Sequence, residues 1–220
     1  MIVAIDGPAG SGKSTVAKRV AQQLKYNYLD TGAMYRAITY EALKNDIDIE
    51  NSDALTHLAR SAKLEFRNEH MGIYSDIFIN GQRVTDEIRL PEVDANVSAV
   101  SKVAGVRKAM VRKQRQLAGN DVIIEGRDIG TVVFPDAKLK VFLTAGASER
   151  ARRRALQLES TGEKIDSLQV QKEIIRRDQI DSNRENSPLV KAVDAVELET
   201  TDKDIEQVVR EILLLIKNAL

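Results

Sequence analysis

The sequence predicts an α/β fold built on a parallel sheet, and three observations lead there. Short strand-like runs recur at residues 2–5, 26–29, 122–124, 138–144 and 195–198. Helical patterns of ten or more residues separate most of these runs. The first run passes through a glycine-rich turn into a segment with Val16, Val20, Ala21 and Leu24 on one face, the strand–loop–helix opening of a parallel βαβ unit. Strands that alternate with helices pair in parallel and are covered on both faces.

Bulk properties fit one such domain. A chain of 220 residues is long for one average domain and short for two, so a single domain with insertions is expected. Apolar residues supply 43% of the chain and aromatic ones only 4%, so aliphatic side chains and alanine must fill the core. Lysine plus arginine number 33 and aspartate plus glutamate 33, a zero balance that argues against a general nucleic-acid binder. Without cysteine there are no disulfides, no thiolate catalysis and no thiolate metal sites, which suits a reducing compartment. Residues 1–6 lack the features of a secretion signal, and the longest apolar run, residues 212–216, is too short to span a bilayer. A soluble cytoplasmic monomer is expected, with neither nucleic-acid nor membrane partner.

Two segments interrupt the alternation. Residues 63–67, 72–79 and 82–84 read as strands, and Asn80-Gly81 between the last two is a strong hairpin signal. A small antiparallel insert is expected there. Residues 159–167, with Thr161-Gly162 between two charged helices, read as a mobile flap. The last helix is expected to open at Thr201-Asp-Lys-Asp204, a capping-box pattern, with Ile205, Val208, Val209, Ile212, Leu213 and Ile216 on one side.

After the first strand comes Gly7-Pro8-Ala9-Gly10-Ser11-Gly12-Lys13-Ser14-Thr15, which fits the pattern G-x-x-x-x-G-K-[ST]. Glycines let backbone N–H groups curl around phosphates, and the following helix offers its positive end. Lys13 is expected to reach the β- and γ-phosphates and the Ser14 hydroxyl to coordinate Mg²⁺. The motif implies ATP or GTP and a P-loop NTPase fold. No Asn-Lys-x-Asp guanine-reading motif occurs, which weakens the GTPase alternative.

Arginines fall where the strands end. Asp30-Thr-Gly-Ala-Met-Tyr35-Arg36 follows the second strand, Arg89 follows the insert, and Glu125-Gly-Arg127-Asp128 follows the run at 122–124. Ligands of α/β folds bind at such carboxyl edges. Glu125 is the candidate acidic partner of Mg²⁺. Transfer between two phosphates gathers many negative oxygens, so several converging cations are required. Further on stand Arg150, Arg153 and Arg154, then Arg177, Asp181 and Arg184 at helical spacing. Spacing alone favours a solvated, ion-paired face for the last three.

Taken together, the motifs resemble the bacterial cytidylate kinase family, within the nucleoside monophosphate kinases. The matching pieces are residues 5–15, 29–36, 125–135 and 177–184, with Ser187-Pro-Leu and Ala192-Val-Asp-Ala-Val near the end. The resemblance implies a five-stranded parallel sheet flanked by helices in a single domain of residues 1–220. The core would comprise 1–62, 91–150 and 168–220, with an acceptor-binding insert at about 63–90 and a short lid at about 151–167. It implies transfer of the γ-phosphoryl group of ATP to CMP or dCMP with Mg²⁺ held at Ser14 and Glu125. Arg36, Arg89 and Arg127 would hold the acceptor phosphate, with Asp30 and Tyr35 also at the substrate. Ser98, Arg107, Asp128 and Arg184 would surround cytosine, and Arg177 and Asp181 would lie near the ribose. Lys13, Arg127, Arg150, Arg153 and Arg154 would be catalytic, the last three as lid arginines. One departure is Glu125, where the family often has aspartate. The nearest rivals are another small-molecule P-loop kinase, such as one for shikimate or dephospho-coenzyme A, and a regulatory ATPase.

Overall fold

The computed structural model of the protein describes residues 1–67, 76–159 and 166–220. β1 (Ile2–Asp6) is apolar up to its last residue and leads through the glycine-rich loop into α1 (Lys13–Leu24). β2 (Asn27–Asp30) ends in a carboxylate that caps α2 (Thr31–Lys44), accepting from the Ala33 N–H at 2.9 Å. Asn51 caps α3 (Ser52–Ser61) in the same way. Next come β3 (Leu64–Arg67), β4 (Asp76–Ile79), β5 (Gln82–Arg83) and a 3-10 turn at Glu87–Arg89. α4 (Pro91–Lys102) begins with proline, whose missing N–H costs nothing in a first turn. α5 (Ala104–Leu117) leads to β6 (Val122–Gly126), and a π turn at Ile129–Val133 separates β6 from β7 (Leu139–Thr144). α6 (Ala147–Glu159), α7 (Ser167–Asn183), β8 (Val196–Glu199) and α8 (Ile205–Ala219) complete the chain.

The five expected strands form one sheet in the order β2-β6-β1-β7-β8. β1 pairs in parallel with β6 and β7, and β7 with β8. Val3, Ala4, Ile5, Ile123 and Ile124 are fully buried, as strands covered on both faces must be. In register, Ile5 lies opposite Glu125, Asp6 opposite Gly126, and Thr144 opposite Glu199. The loops after β1, β6, β7 and β8 therefore leave from one edge.

The smaller sheet is antiparallel in the order β3-β4-β5. Asn80 and Gly81 both have positive φ, 52° and 84°, the geometry of the primed turn that this pair of residues favours. Of the expected strand at 72–79, residues 72–75 lie outside the described residues, as do His70 and, from the expected flap and lid, residues 160–165.

Two compact units make up the chain, Met1–Tyr26 with Asn120–Leu220, and Asn27–Gly119. The second takes in far more chain than the insert expected at 63–90. In the first unit α1 packs on β6 and α8, and α6 packs on α7 through Ala151, Val170, Ile174 and Leu158. In the second, α2 packs on α4 and β4, and α3 on α5.

The final helix departs from expectation at its start. Asp204 is the N-cap and Gln207 its reciprocal partner, so the capping box stands three residues later than Thr201. The Thr201 hydroxyl instead accepts from the Gly146 N–H at 2.8 Å. Ile205 in the first turn is exposed, ahead of the buried stripe Val208, Val209, Ile212 and Ile216. Among the described residues, no helix is long and apolar enough to cross a membrane.

Candidate active site

The phosphate loop belongs to the first unit. Gly10 and Gly12 hold φ of 73° and 89°, a region that suits glycine. A Cβ on Gly10 would also stand 2.8 Å from the Arg150 carbonyl oxygen. Gly12 is the N-cap of α1, so no side chain covers the first N–H groups of the helix from that position.

Lys13 curls back into this loop. Its Nζ donates to the Pro8 carbonyl at 2.7 Å and to Ser11 Oγ at 3.3 Å. Burial, then the charge of Arg127, pushes its pKa well below the usual lysine range, while Glu125 and Asp6 oppose the shift. Phosphates entering the loop would supply the anionic partner that this burial demands.

Ser14 Oγ donates to Glu125 Oε2 at 2.9 Å, joining the start of α1 to the end of β6. Two adjacent hard oxygens fit Mg²⁺, which takes one or two protein ligands and completes its shell with phosphates and water. Glu125 reaches Ser14 from within β6.

Asp6, which sequence reasoning passed over, is buried at the end of β1. Its two oxygens accept from the Ile129 N–H at 2.8 Å and the Gly130 N–H at 2.7 Å. Burial raises its pKa to about 6 in spite of those hydrogen bonds. Asp6 thereby ties the start of the phosphate loop to the π turn that follows Asp128. Its place as the last residue of a strand, directly before the loop, was the available signal.

Arg127, Asp128, Arg177, Asp181 and Arg184 also belong to the first unit. Arg127 Nε donates to Asp181 Oδ2 at 2.9 Å, and Arg184 lies 3.6 Å from Asp181 and 3.8 Å from Asp128. Spacing suggested a solvated face, but Asp181 is only 4% exposed. The chain turns back after α7, where the Leu189 N–H reaches the Asp181 carbonyl at 2.8 Å and Arg184 Nε reaches the Ser187 carbonyl at 2.5 Å. That return covers the end of the helix. Burial works to raise the Asp181 pKa, but Arg127, Arg177 and Arg184 together hold it below the usual carboxylate range.

The three arginines expected in a lid have different settings. Arg150 is buried and donates to the Ala145 and Ala9 carbonyls and to Asp178. Arg153 donates to Glu149 at 2.8 Å and to the Thr200 carbonyl at 2.6 Å, with a longer contact of 3.5 Å to the Ser11 carbonyl. Arg154 donates to Gln157 on its own helix.

The second unit holds the remaining candidates. Arg36 Nη2 donates to Asp94 Oδ1 at 2.5 Å, and its Nη1 reaches the Ile88 carbonyl at 3.5 Å. Exposed Arg89 follows on that same turn. Arg107 is buried, donates to the Ser101 carbonyl and lies over the Tyr35 ring at 5.4 Å. Ser98 stands one helical turn before Ser101, whose hydroxyl donates to the Ser98 carbonyl. Asp30 is the cap of α2 already described. Arg36 and Tyr35 thus share α2 while Ser98 and Arg107 come from α4 and α5, which pack with it.

A loop of this kind holds the phosphates of a nucleoside triphosphate, and the guanidiniums of Arg150 and Arg153 contact it. Fold and site together define the class of P-loop kinases. Within that class the chain belongs to the cytidylate kinase family, whose family model matches residues 3–218. It is 49% identical over 216 residues to the cytidylate kinase of Alkaliphilus oremlandii (strain OhILAs), covering 98% of this chain and 97% of that one. Over 214 residues it is 48% identical to the cytidylate kinase of Clostridioides difficile (strain 630), covering 97% and 96%. In fold it is similar to the crystal structure of a protein from Eubacterium ventriosum ATCC 27560, with a TM-score of 0.53, 13% identity and coverage of 99% and 98%.

Proposed function

We propose that this kinase transfers the γ-phosphoryl group of ATP to CMP, and to dCMP, giving CDP or dCDP and ADP. A phosphate oxygen of the acceptor attacks Pγ, the bond from Pγ to the β-phosphate bridging oxygen breaks, and ADP leaves with that electron pair. The acceptor phosphate is already an anionic nucleophile, so no general base is required and alignment with charge neutralisation carries the rate. The loop from Gly7 to Thr15 holds the triphosphate, with Lys13 at its β- and γ-phosphates. Ser14 and Glu125 would hold Mg²⁺, which would neutralise charge on the phosphates. Arg36, Arg89 and Arg127 take the acceptor phosphate. Arg150, Arg153 and Arg154 act on the transferring group, directly or through the loop.

Base choice is assigned to Ser98, Arg107, Asp128 and Arg184. Cytosine offers an N4 amino donor beside the N3 and O2 acceptors, so a carboxylate can take the donor while arginine and serine serve the acceptors. Uracil reverses the first two and would leave buried polar groups unpaired. The observation that carries this reading is the Asp128–Arg184–Asp181–Arg127 chain of charges, in which both carboxylates and the Arg184 side chain are buried. Buried ion pairs add little net stability by themselves, so a network of them at a strand end points to a ligand site. Family membership supports the same acceptor.

The test is ADP release in a coupled assay with CMP, dCMP, UMP, AMP, GMP and shikimate in parallel. CMP and dCMP should give the highest rates. Equal release without acceptor would establish an ATPase instead, and a rate led by AMP or shikimate would overturn the cytidylate assignment. Arg184→Ala should lower kcat/KM for CMP by about a hundredfold, the loss of a charge-assisted contact to the base, with ATP binding within about twofold.

A further inference from the structure

We propose that Asp178 is a positioning residue for the phosphate loop, holding the Ala9 peptide through its own carboxylate and through Arg150. The proposal rests on the reading of that loop as the ATP site and assigns a part of it that the motif does not include. Ala9 sits in the middle of the loop, and both of its peptide groups are engaged. Its N–H donates to Asp178 Oδ1 at 3.3 Å, and its carbonyl accepts from Arg150 Nη1 at 3.0 Å. The same Nη1 donates to Asp178 Oδ2 at 2.5 Å, which closes a ring of three hydrogen bonds around one residue of the loop.

Neither side chain is free to wander. Arg150 is 8% exposed and anchored by its Nε on the Ala145 carbonyl at 2.9 Å, just beyond β7. Its helix comes so near the loop that only a glycine fits at position 10. α7 carries Asp178 and packs on α6 through Ala151, Val170 and Ile174. A glycine-rich loop loses more conformational freedom on ordering than other chain does, so a clamp at its centre lowers the cost of meeting a triphosphate.

A carboxylate beside a phosphate site would ordinarily repel the ligand. Here the guanidinium in contact with it cancels its charge, so the pair can shape the loop without opposing the phosphates. Arg150 thereby acts on the reaction through the loop.

The test compares full-length wild type, Asp178→Asn, Asp178→Ala and Arg150→Lys by calorimetric ATP and CMP binding and by steady-state kinetics. Asp178→Ala should weaken ATP binding and raise KM for ATP about tenfold, through loss of the charge-assisted hydrogen bond to the Ala9 N–H, with KM for CMP within about twofold. Asp178→Asn keeps an acceptor for the Ala9 N–H and should recover part of that loss. Arg150→Lys, which cannot fork between a carbonyl and a carboxylate, should resemble the alanine variant. Unchanged ATP affinity with a lowered melting temperature would make the ring a structural brace and overturn the proposal. Tighter ATP binding would show that Asp178 competes with phosphate and would also overturn it. If Asp178→Ala does not fold, Asp178→Asn and Arg150→Lys decide by the same ATP-to-CMP contrast. Failure of the wild type itself to bind ATP would instead sink the reading of the loop.

Discussion

Two buried ionisable groups flank the phosphate loop, and each makes a titration prediction. Lys13 has its pKa lowered by burial and by Arg127, so at alkaline pH it loses its proton more readily than an exposed lysine does. Phosphates in the loop favour the charged form and raise the pKa again, so ATP binding should take up a proton. Calorimetry in buffers of different ionisation heats reads this directly: at alkaline pH uptake is expected in the wild type and not in Lys13→Met, and its absence there would refute a depressed Lys13. For Asp6 the shift runs upward, from 3.8 to about 6, which corresponds to about 3 kcal/mol. A carboxylate raised in the folded state binds more protons there than in the unfolded chain. Its contribution is therefore full at low pH and lost as pH rises through 6. Asp6→Asn has no such step, so in urea denaturation the variant should gain on the wild type by about 2 kcal/mol between pH 4 and pH 7. These residues also mark what could be read from sequence. The loop motif names Lys13 and Ser14 because their chemistry depends on spacing within nine residues. The contact of Ser14 with Glu125 spans 111 residues, and strand-end position plus residue type was enough to propose it. Asp6 and Asp178 carried no such label, since both hold main-chain groups that look alike in any sequence, and the side-chain partner of Asp178, Arg150, stands 28 residues away.

Elements were legible where local chemistry decides them and less so where packing does. The strand runs appear where apolar residues cluster, and Asn80-Gly81 makes its turn, because both signals act over a few residues. The start of α8 was displaced because Thr201-Asp204 and Asp204-Gln207 both satisfy a capping pattern, and only the second is realised, with Thr201 used by Gly146. Asp204→Ala should therefore cost about 1 kcal/mol in urea denaturation, whereas a loss of that size from Thr201→Ala but none from Asp204→Ala would place the cap wrongly. Helix contacts were hidden altogether. Gly105 in α5 meets α3 so closely that a Cβ there would lie 2.1 Å from Thr56 Oγ1. Helix propensity alone says that Gly105→Ala should stabilise by up to about 1 kcal/mol, but overpacking costs about 1–3 kcal/mol, so a net loss is expected. Trimming the neighbour by Thr56→Ala in the same chain should restore most of it, and simple additivity of the two changes would count against the contact.

At the scale of the whole molecule, the break in the βαβ rhythm at 63–90 was visible, yet the compact second unit begins at Asn27. α2, α3, α4 and α5 join it by packing on one another and on the small sheet, and no local pattern records such contacts. This division has a consequence for ligand response. The residues proposed for ATP and Mg²⁺, from Gly7 to Thr15 with Glu125, all belong to the first unit. A ligand that binds only the folded state slows the opening it must be released from, by about a hundredfold at a hundred times its dissociation constant. Hydrogen exchange should thus show ATP protecting amides of β1 and β6 while leaving those of α3 and α5 within about twofold. Equal protection of α3 and α5 by ATP would mean that the chain opens as one cooperative body.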